Sequence, residues 1–251
     1  MSQPMAKRNN PFTPAAPDYS ALASAPSRID LWVKAIDASG ARVMAEIGVW
    51  NGAFARQILE RCPRISRYFM IDPWATLPDW NKPLNVEQAR FDSVYAEAMA
   101  ATDFARERRT VLRGRTKDVA SMIPDGALDF AYVDGDHTLR GVTIDLQRML
   151  PKVRADGLLG GDDFSQSPWQ HDARFEPTLV FPYTVFFAEA MDLPVAALPF
   201  DQFLIRNAPD EGFSFTDLTG RYGDVSLNGL SRQGRVSRLI AKAERKLGLA
   251  R

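Results

Sequence analysis

The chain has one cysteine, Cys62, and two histidines among 251 residues. A single cysteine excludes an internal disulfide and accords with a reducing, cytoplasmic setting. No run of about 18 apolar residues occurs, which argues against a membrane span. Lys7 and Arg8 have no apolar stretch behind them, which argues against a secretory signal. Net charge is also lacking, since 31 Lys plus Arg balance 31 Asp plus Glu. Without an excess of one sign, no global field gathers nucleic acid or lipid headgroups, and no nucleic-acid partner is expected. There is no internal repeat and no G-x-G-x-x-G dinucleotide fingerprint.

What is present is globular, with 45% hydrophobic and 25% charged residues, ordinary values for a folded domain. The length suits one domain with extensions. Pro11, Pro14, Pro17 and Pro26 lie among Ala and Ser, a segment with too little apolar surface to offset its ordering entropy. Residues 1–27 therefore read as an arm, 28–207 as the folded domain and 208–251 as an extension.

Within 28–207, short apolar runs alternate with helical periodicity. Ile29 to Ile36 predicts a helix ended at Ser39-Gly40, Val43 to Gly48 a buried strand, and Phe54 to Arg61 a helix. Strands are expected at Tyr68–Ile71, Thr110–Leu112, Leu128–Val133 and Leu158–Leu159, with helices near 86–104, 119–123, 140–150 and 178–191. Val195–Leu198 and Gln202–Ile205 are separated by a hairpin-sized gap. This alternation predicts an α/β fold, a parallel sheet covered on both faces and closed by an antiparallel strand. In such sheets ligands bind beyond the carboxyl ends of the strands.

Polar residues cluster at those ends. The first strand runs into Glu46-Ile47-Gly48-Val49-Trp50-Asn51-Gly52, where Gly48 and Gly52 permit a turn and close backbone approach by a ligand. Glu46 at that edge can accept from an amine or hydroxyl, or be an incidental acid. Asp72 ends the second strand, 26 residues after Glu46, placed to take ribose hydroxyls or simply to start an Asp-Pro turn. Trp74 walls an adenine or packs in the core. Thr116, after the third strand, reaches an adenine or caps a helix.

The fourth strand ends in Asp134-Gly135-Asp136-His137 and the fifth in Gly160-Gly161-Asp162-Asp163. Adjacent strands bring these acids together, and like charges in one cleft need a cation or a proton. Hard oxygen donors favour magnesium, manganese or calcium over zinc.

These segments together resemble the class I S-adenosylmethionine-dependent methyltransferases. Within them the chain is most similar to the bacterial branch containing the macrocin, mycinamicin and novobiocin sugar O-methyltransferases, over about residues 28–207. The resemblance implies a Rossmann-like, doubly wound, seven-stranded sheet, mostly parallel with an antiparallel last strand. It assigns Glu46, Gly48 and Asp72 to S-adenosylmethionine, and Asn51, Gly52, Trp74, Thr116 and Asp134 join that cofactor site. Asp162 and Asp163 follow Asp134 by 28 and 29 residues, the spacing of that branch's metal ligands. That match assigns all three to a divalent cation, Mg2+ or a relative. Asp136 and His137 both stand where relatives carry the general base, so the base is left open between them. The implied reaction is O-methylation of a sugar-containing or small phenolic acceptor, a small molecule or glycan, held under the loop 164–177 with Trp169 and His171 as contacts.

From Ser231 to Arg251 seven basic residues face one acid. Val236, Leu239, Ile240, Ala243 and Leu247 recur at helical spacing, predicting a basic helix that docks on its own domain, on a dimer mate, or on a membrane surface. A homo-oligomer thus stays open. Three alternatives remain at the level of sequence: a metal-independent methyltransferase of this fold, a nicotinamide-dependent oxidoreductase, and a non-catalytic binding protein.

Overall fold

The computed structural model describes residues 17–168 and 170–223. Most of the proline-rich arm, Trp169 and the basic tail lie outside the described residues. The elements in chain order are α1 (Tyr19–Ala23), α2 (Arg28–Ser39), β1 (Val43–Ile47), α3 (Ala53–Arg61), β2 (Arg67–Asp72), α4 (Gln88–Ala101), β3 (Arg109–Arg113) and α5 (Thr116–Val119). They continue through β4 (Leu128–Val133), α6 (Leu139–Met149), β5 (Val153–Gly161), α7 (Val180–Ala190), β6 (Pro194–Leu198), β7 (Gln202–Arg206) and β8 (Ser214–Asp217).

The strands form one sheet in the order β3-β2-β1-β4-β5-β7-β6-β8. Only β7 runs against its neighbours, antiparallel to both β5 and β6. The expected doubly wound α/β sheet with a reversed strand is therefore present. Among the described residues the sheet has eight strands rather than seven, because β8 adds in parallel to β6. β8 lies beyond residue 207, and α1 lies inside the presumed arm with Leu22 buried. Neither was legible as an element. β8 has four residues and no fully buried position, so it carries no apolar run. α1 has five residues, held by the Asp18 side chain accepting from the Ser20 and Ala21 amides.

Alternation along each strand sends side chains to two cores. Ala45, Ile47, Ile71, Ala131 and Val133 pack with α6 and α7 residues such as Leu146 and Val185. Met44, Tyr68, Met70, Phe130 and Tyr132 pack with α2 and α3 residues such as Trp32 and Ile58. Burial on both faces is why the strands read as continuous apolar runs. β5 is longer than expected. It begins at Val153 and continues through the Ala155-Asp156-Gly157 turn, with a register irregularity against β4.

α2 matters most for the site. Ser27 caps it, accepting from the Asp30 amide, and it lies against Gly160 of β5, where an added Cβ would meet the Trp32 ring at 2.3 Å. This approach carries the first residue of α2, Arg28, over the ends of β4 and β5. Among the described residues no helix is long and apolar enough to cross a membrane.

Candidate active site

A cavity of about 200 Å³ opens beyond the carboxyl ends of the first four strands. Gly48, Asp72, Gly114, Thr116, Gly135 and Asp136 form its strand-end wall, and Arg140, Gly141, Ile144 and Asp145 of α6 its opposite side. Gly48 has φ +84°, and a Cβ there would lie 1.9 Å from the Asp134 carbonyl oxygen. Only glycine fits where β1 and β4 close on each other.

Asp72 holds this edge together. Its Oδ2 accepts from the Val49 and Trp50 amides at 3.0 and 2.9 Å, and its Oδ1 from the Trp74 amide at 2.7 Å. Burial raises its pKa, with these amides opposing. A carboxylate offers about four acceptor positions, so Asp72 locks the β1 turn with three of them and leaves about one unused. Thr116 lines the cavity beside Asp145. Burial raises the Asp145 pKa to about 7, with Thr116 lowering it in part.

Other expected cofactor residues stand elsewhere. Glu46 is buried in the α2–α3 core, away from the cavity wall, and accepts from the Tyr68 hydroxyl at 2.7 Å. Its pKa is pushed well up by burial. Trp74 is a core residue, not an adenine wall. It is fully buried, donates from Nε1 to the Trp50 carbonyl at 2.8 Å and meets Tyr95 edge-on. Asn51 borders a separate surface hollow with Arg56 and Glu97, and Gly52 is the N-cap of α3. The aromatic residues lining the cavity are Trp50, Trp80 and Phe91.

Trp80 belongs to the loop 73–87, which folds over the cavity and contributes Leu77 and Asp79 as well. The Asp79 carboxylate pairs with both terminal nitrogens of Arg115, while Arg140 Nη2 donates to the Asp79 carbonyl and its Nη1 lies 3.8 Å from the carboxylate. The Arg115 hydrogen bonds hold the Asp79 pKa down at about 2. Trp80 Nε1 donates to Asp136 Oδ1 at 3.1 Å, as does the Thr138 amide at 3.0 Å. Lys82, buried, donates to Thr178 at 3.0 Å and ties this loop to the segment that follows β5.

Beside Asp136 the expected acidic group does converge, but with its counter-charge already in place. Arg28 Nη1 donates to Asp162 Oδ2 and lies 3.8 Å from Asp134 Oδ2. The Asp163 amide, at 2.7 Å, and the Gln202 side-chain amide both donate to Asp162 Oδ1. Gln202 is fixed in turn, accepting from Trp32 Nε1 at 2.7 Å and the Tyr132 hydroxyl at 3.0 Å. His137 stands between the other two acids. Its Nδ1 pairs with Asp163, and its buried Nε2 lies 3.3 Å from Asp134 without hydrogen-bond alignment. Burial alone would lower the His137 pKa, but the two carboxylates outweigh it and push it up to about 10. Burial raises Asp162, with Asp134 adding and Arg28 opposing.

This arrangement does not fit a divalent cation. Three of the roughly four acceptor positions of Asp162 are taken by donors, and the Arg28 guanidinium already supplies a positive charge to Asp162 and Asp134. Among the described residues no three His, Cys, Asp or Glu side chains are set to hold a metal ion. Arg28, Trp80, Lys82, Asp145 and Gln202 escaped the sequence reading. They lie away from the strand-end motifs, and no local pattern separates Arg28 from the other basic residues.

A family model for a methyltransferase domain matches residues 45–164, from β1 to just past β5. None of the curated proteins matches the chain in sequence. Several solved structures share its fold. A Staphylococcus aureus protein described as a caffeoyl-CoA type O-methyltransferase superposes with TM-score 0.54 at 14% identity, over 71% of this chain and 82% of that one. An O-methyltransferase from Bacillus cereus, solved with S-adenosylhomocysteine, gives 0.51 at 17% identity over 72% and 80%. The O-methyltransferase TomG from Streptomyces achromogenes, solved with S-adenosylmethionine, gives 0.50 at 16% identity over 70% and 77%. Identities this low speak for the fold.

Proposed function

We propose that the protein is an S-adenosylmethionine-dependent O-methyltransferase acting on a hydroxyl of a small sugar-containing or phenolic acceptor. The observation that carries this reading is the cavity at the ends of β1 to β4. It joins a glycine turn, an acid at the end of β2 and a hydroxyl at the start of α5. An adenosine fits this wall, with one ribose hydroxyl on the remaining acceptor position of Asp72 and the base near Thr116. The relatives solved with S-adenosylmethionine or its product share the fold.

Methyl transfer needs an acceptor oxygen in line with the S–CH3 bond. The new C–O bond forms as the S–CH3 bond breaks, and the hydroxyl proton must leave. Asp136 takes it in this reading. Trp80 and Thr138 occupy Oδ1, which leaves Oδ2 to accept the proton at the cavity wall. His137 has Nδ1 on Asp163 and a raised pKa, so it acts as the charged clamp of the acidic group rather than the base. Positioning by the fixed Asp136 then supplies an entropic advantage. The acceptor lies toward the segment after β5, with His171 on that side.

Calorimetry with S-adenosylhomocysteine and, separately, NAD tests the reading on the full chain. Saturable heat with the first and none with the second is expected. Heat with NAD alone would replace the methyltransferase reading with an oxidoreductase.

A further inference from the structure

The acidic group at the ends of β4 and β5 is the part of the site where resemblance and structure disagree. We propose that the Arg28 guanidinium is the resident cation of this group, holding Asp134 and Asp162 together where related enzymes place a divalent ion, so that the acceptor is positioned without a metal. The inference rests on the methyltransferase reading for its catalytic meaning, while the occupancy of the seat by Arg28 stands on the geometry alone.

Several independent contacts build the seat. Arg28 opens α2, whose cap at Ser27 fixes the helix start. The packing of Trp32 against Gly160 sets the helix height over β5. The guanidinium carbon lies 6.0 Å from the centre of the Phe54 ring, which stacks on Tyr132 at 4.2 Å. A cation over an aromatic face gains electrostatically from the ring. Asp162 is fixed from the other side by Gln202 and the Asp163 amide. A planar, permanently charged fork suits two carboxylates at different distances better than a lysine ammonium would. The remaining acid, Asp163, is met by His137, so every carboxylate of the group faces a cation supplied by the chain itself.

The guanidinium is also reachable. The Arg28 side chain is 43% exposed, against 15% for Asp162, so its outer edge can donate to an acceptor oxygen while its inner edge holds the acids. Arg28 is thus a positioning residue that restricts the attacking oxygen without activating it, and proton removal stays with Asp136.

Manganese binding followed by electron paramagnetic resonance tests this on the full-length protein, with S-adenosylhomocysteine affinity measured on the same samples. Wild type is expected to leave the free Mn2+ signal unchanged, with or without S-adenosylhomocysteine. Arg28→Ala, which strips the cation from the acids, is expected to gain Mn2+ affinity by about tenfold or more, because uncompensated carboxylates attract a divalent ion. Wild type that takes up Mn2+ as well as Arg28→Ala does would overturn the proposal, as would Arg28→Ala that gains none. Should Arg28→Ala fail to fold, Arg28→Gln keeps the length without the charge and answers the same question. Loss of S-adenosylhomocysteine binding by wild type would instead count against the methyltransferase reading and leave the cation test standing.

Discussion

At the scale of single residues, the structure divides the acids by environment. Asp136 keeps one oxygen toward the cavity, whereas Asp134, Asp162 and Asp163 are matched to Arg28 and His137. Asp136→Asn should therefore lower kcat about 10²- to 10⁴-fold, the usual worth of a general base, while S-adenosylhomocysteine affinity stays within a few fold. Retained turnover would move the base elsewhere. Asp145 behaves differently. Its pKa rises from 3.8 to about 7 in the fold through burial, so between those values the native state holds a proton that the unfolded chain has lost. Stability from this group accordingly falls as pH rises through that window. Asp145→Asn removes the slope, and with about 1.4 kcal/mol per unit the variant should gain on the order of 2 kcal/mol relative to wild type between about pH 5 and pH 7. Urea unfolding at both pH values checks this, and parallel profiles would refute it.

At the scale of elements, the turn after β1 and the loop 73–87 shape the cavity. Gly48→Ala puts a Cβ into the Asp134 carbonyl at a positive φ. It should cost about 3 kcal/mol or more by combined strain and overpacking and abolish S-adenosylhomocysteine binding; near-native stability would contradict the close approach of β1 and β4. Arg115→Ala breaks an exposed pair that closes the loop over the cavity. Exposed pairs contribute little, so binding should weaken by less than tenfold, with an effect that shrinks in high salt. These elements also show what sequence can reveal. Strands buried on both faces announce themselves as apolar runs, and Gly48, Asp72 and Asp136 were legible because they sit at strand ends. Trp74 was open between an adenine wall and the core, since strand-end position alone does not fix where an indole points; it turns inward to the Trp50 carbonyl. Arg28 and Gln202 were not legible. Each reaches Asp162 across 134 or 40 positions of chain, and only the pairing of β5 with β7 and the height of α2 bring them there.

At the scale of the whole molecule, one sheet organises two cores and leaves a single polar rim at the ends of β1 to β5. Beyond β8, Tyr222 packs back against the segment after β5 and against α7. Its ring packs 5.0 Å from Phe164 and 4.7 Å from Phe181, and its hydroxyl donates to the Phe164 carbonyl. Residues 208–223 are thereby packed onto the fold, and Tyr222 braces the start of the post-β5 segment. Tyr222→Ala should cost about 3 kcal/mol, in the range of aromatic-to-alanine changes in cores. An unchanged urea midpoint would show that this packing adds nothing. The central claim is that a nucleoside donor and the acid that takes the acceptor proton share this rim. A crystal structure with bound S-adenosylhomocysteine tests it most directly. The account predicts the ribose at Asp72, the adenine by Thr116 and the sulfur turned toward Asp136; a ligand seated elsewhere, or with its sulfur facing away from Asp136, would contradict it.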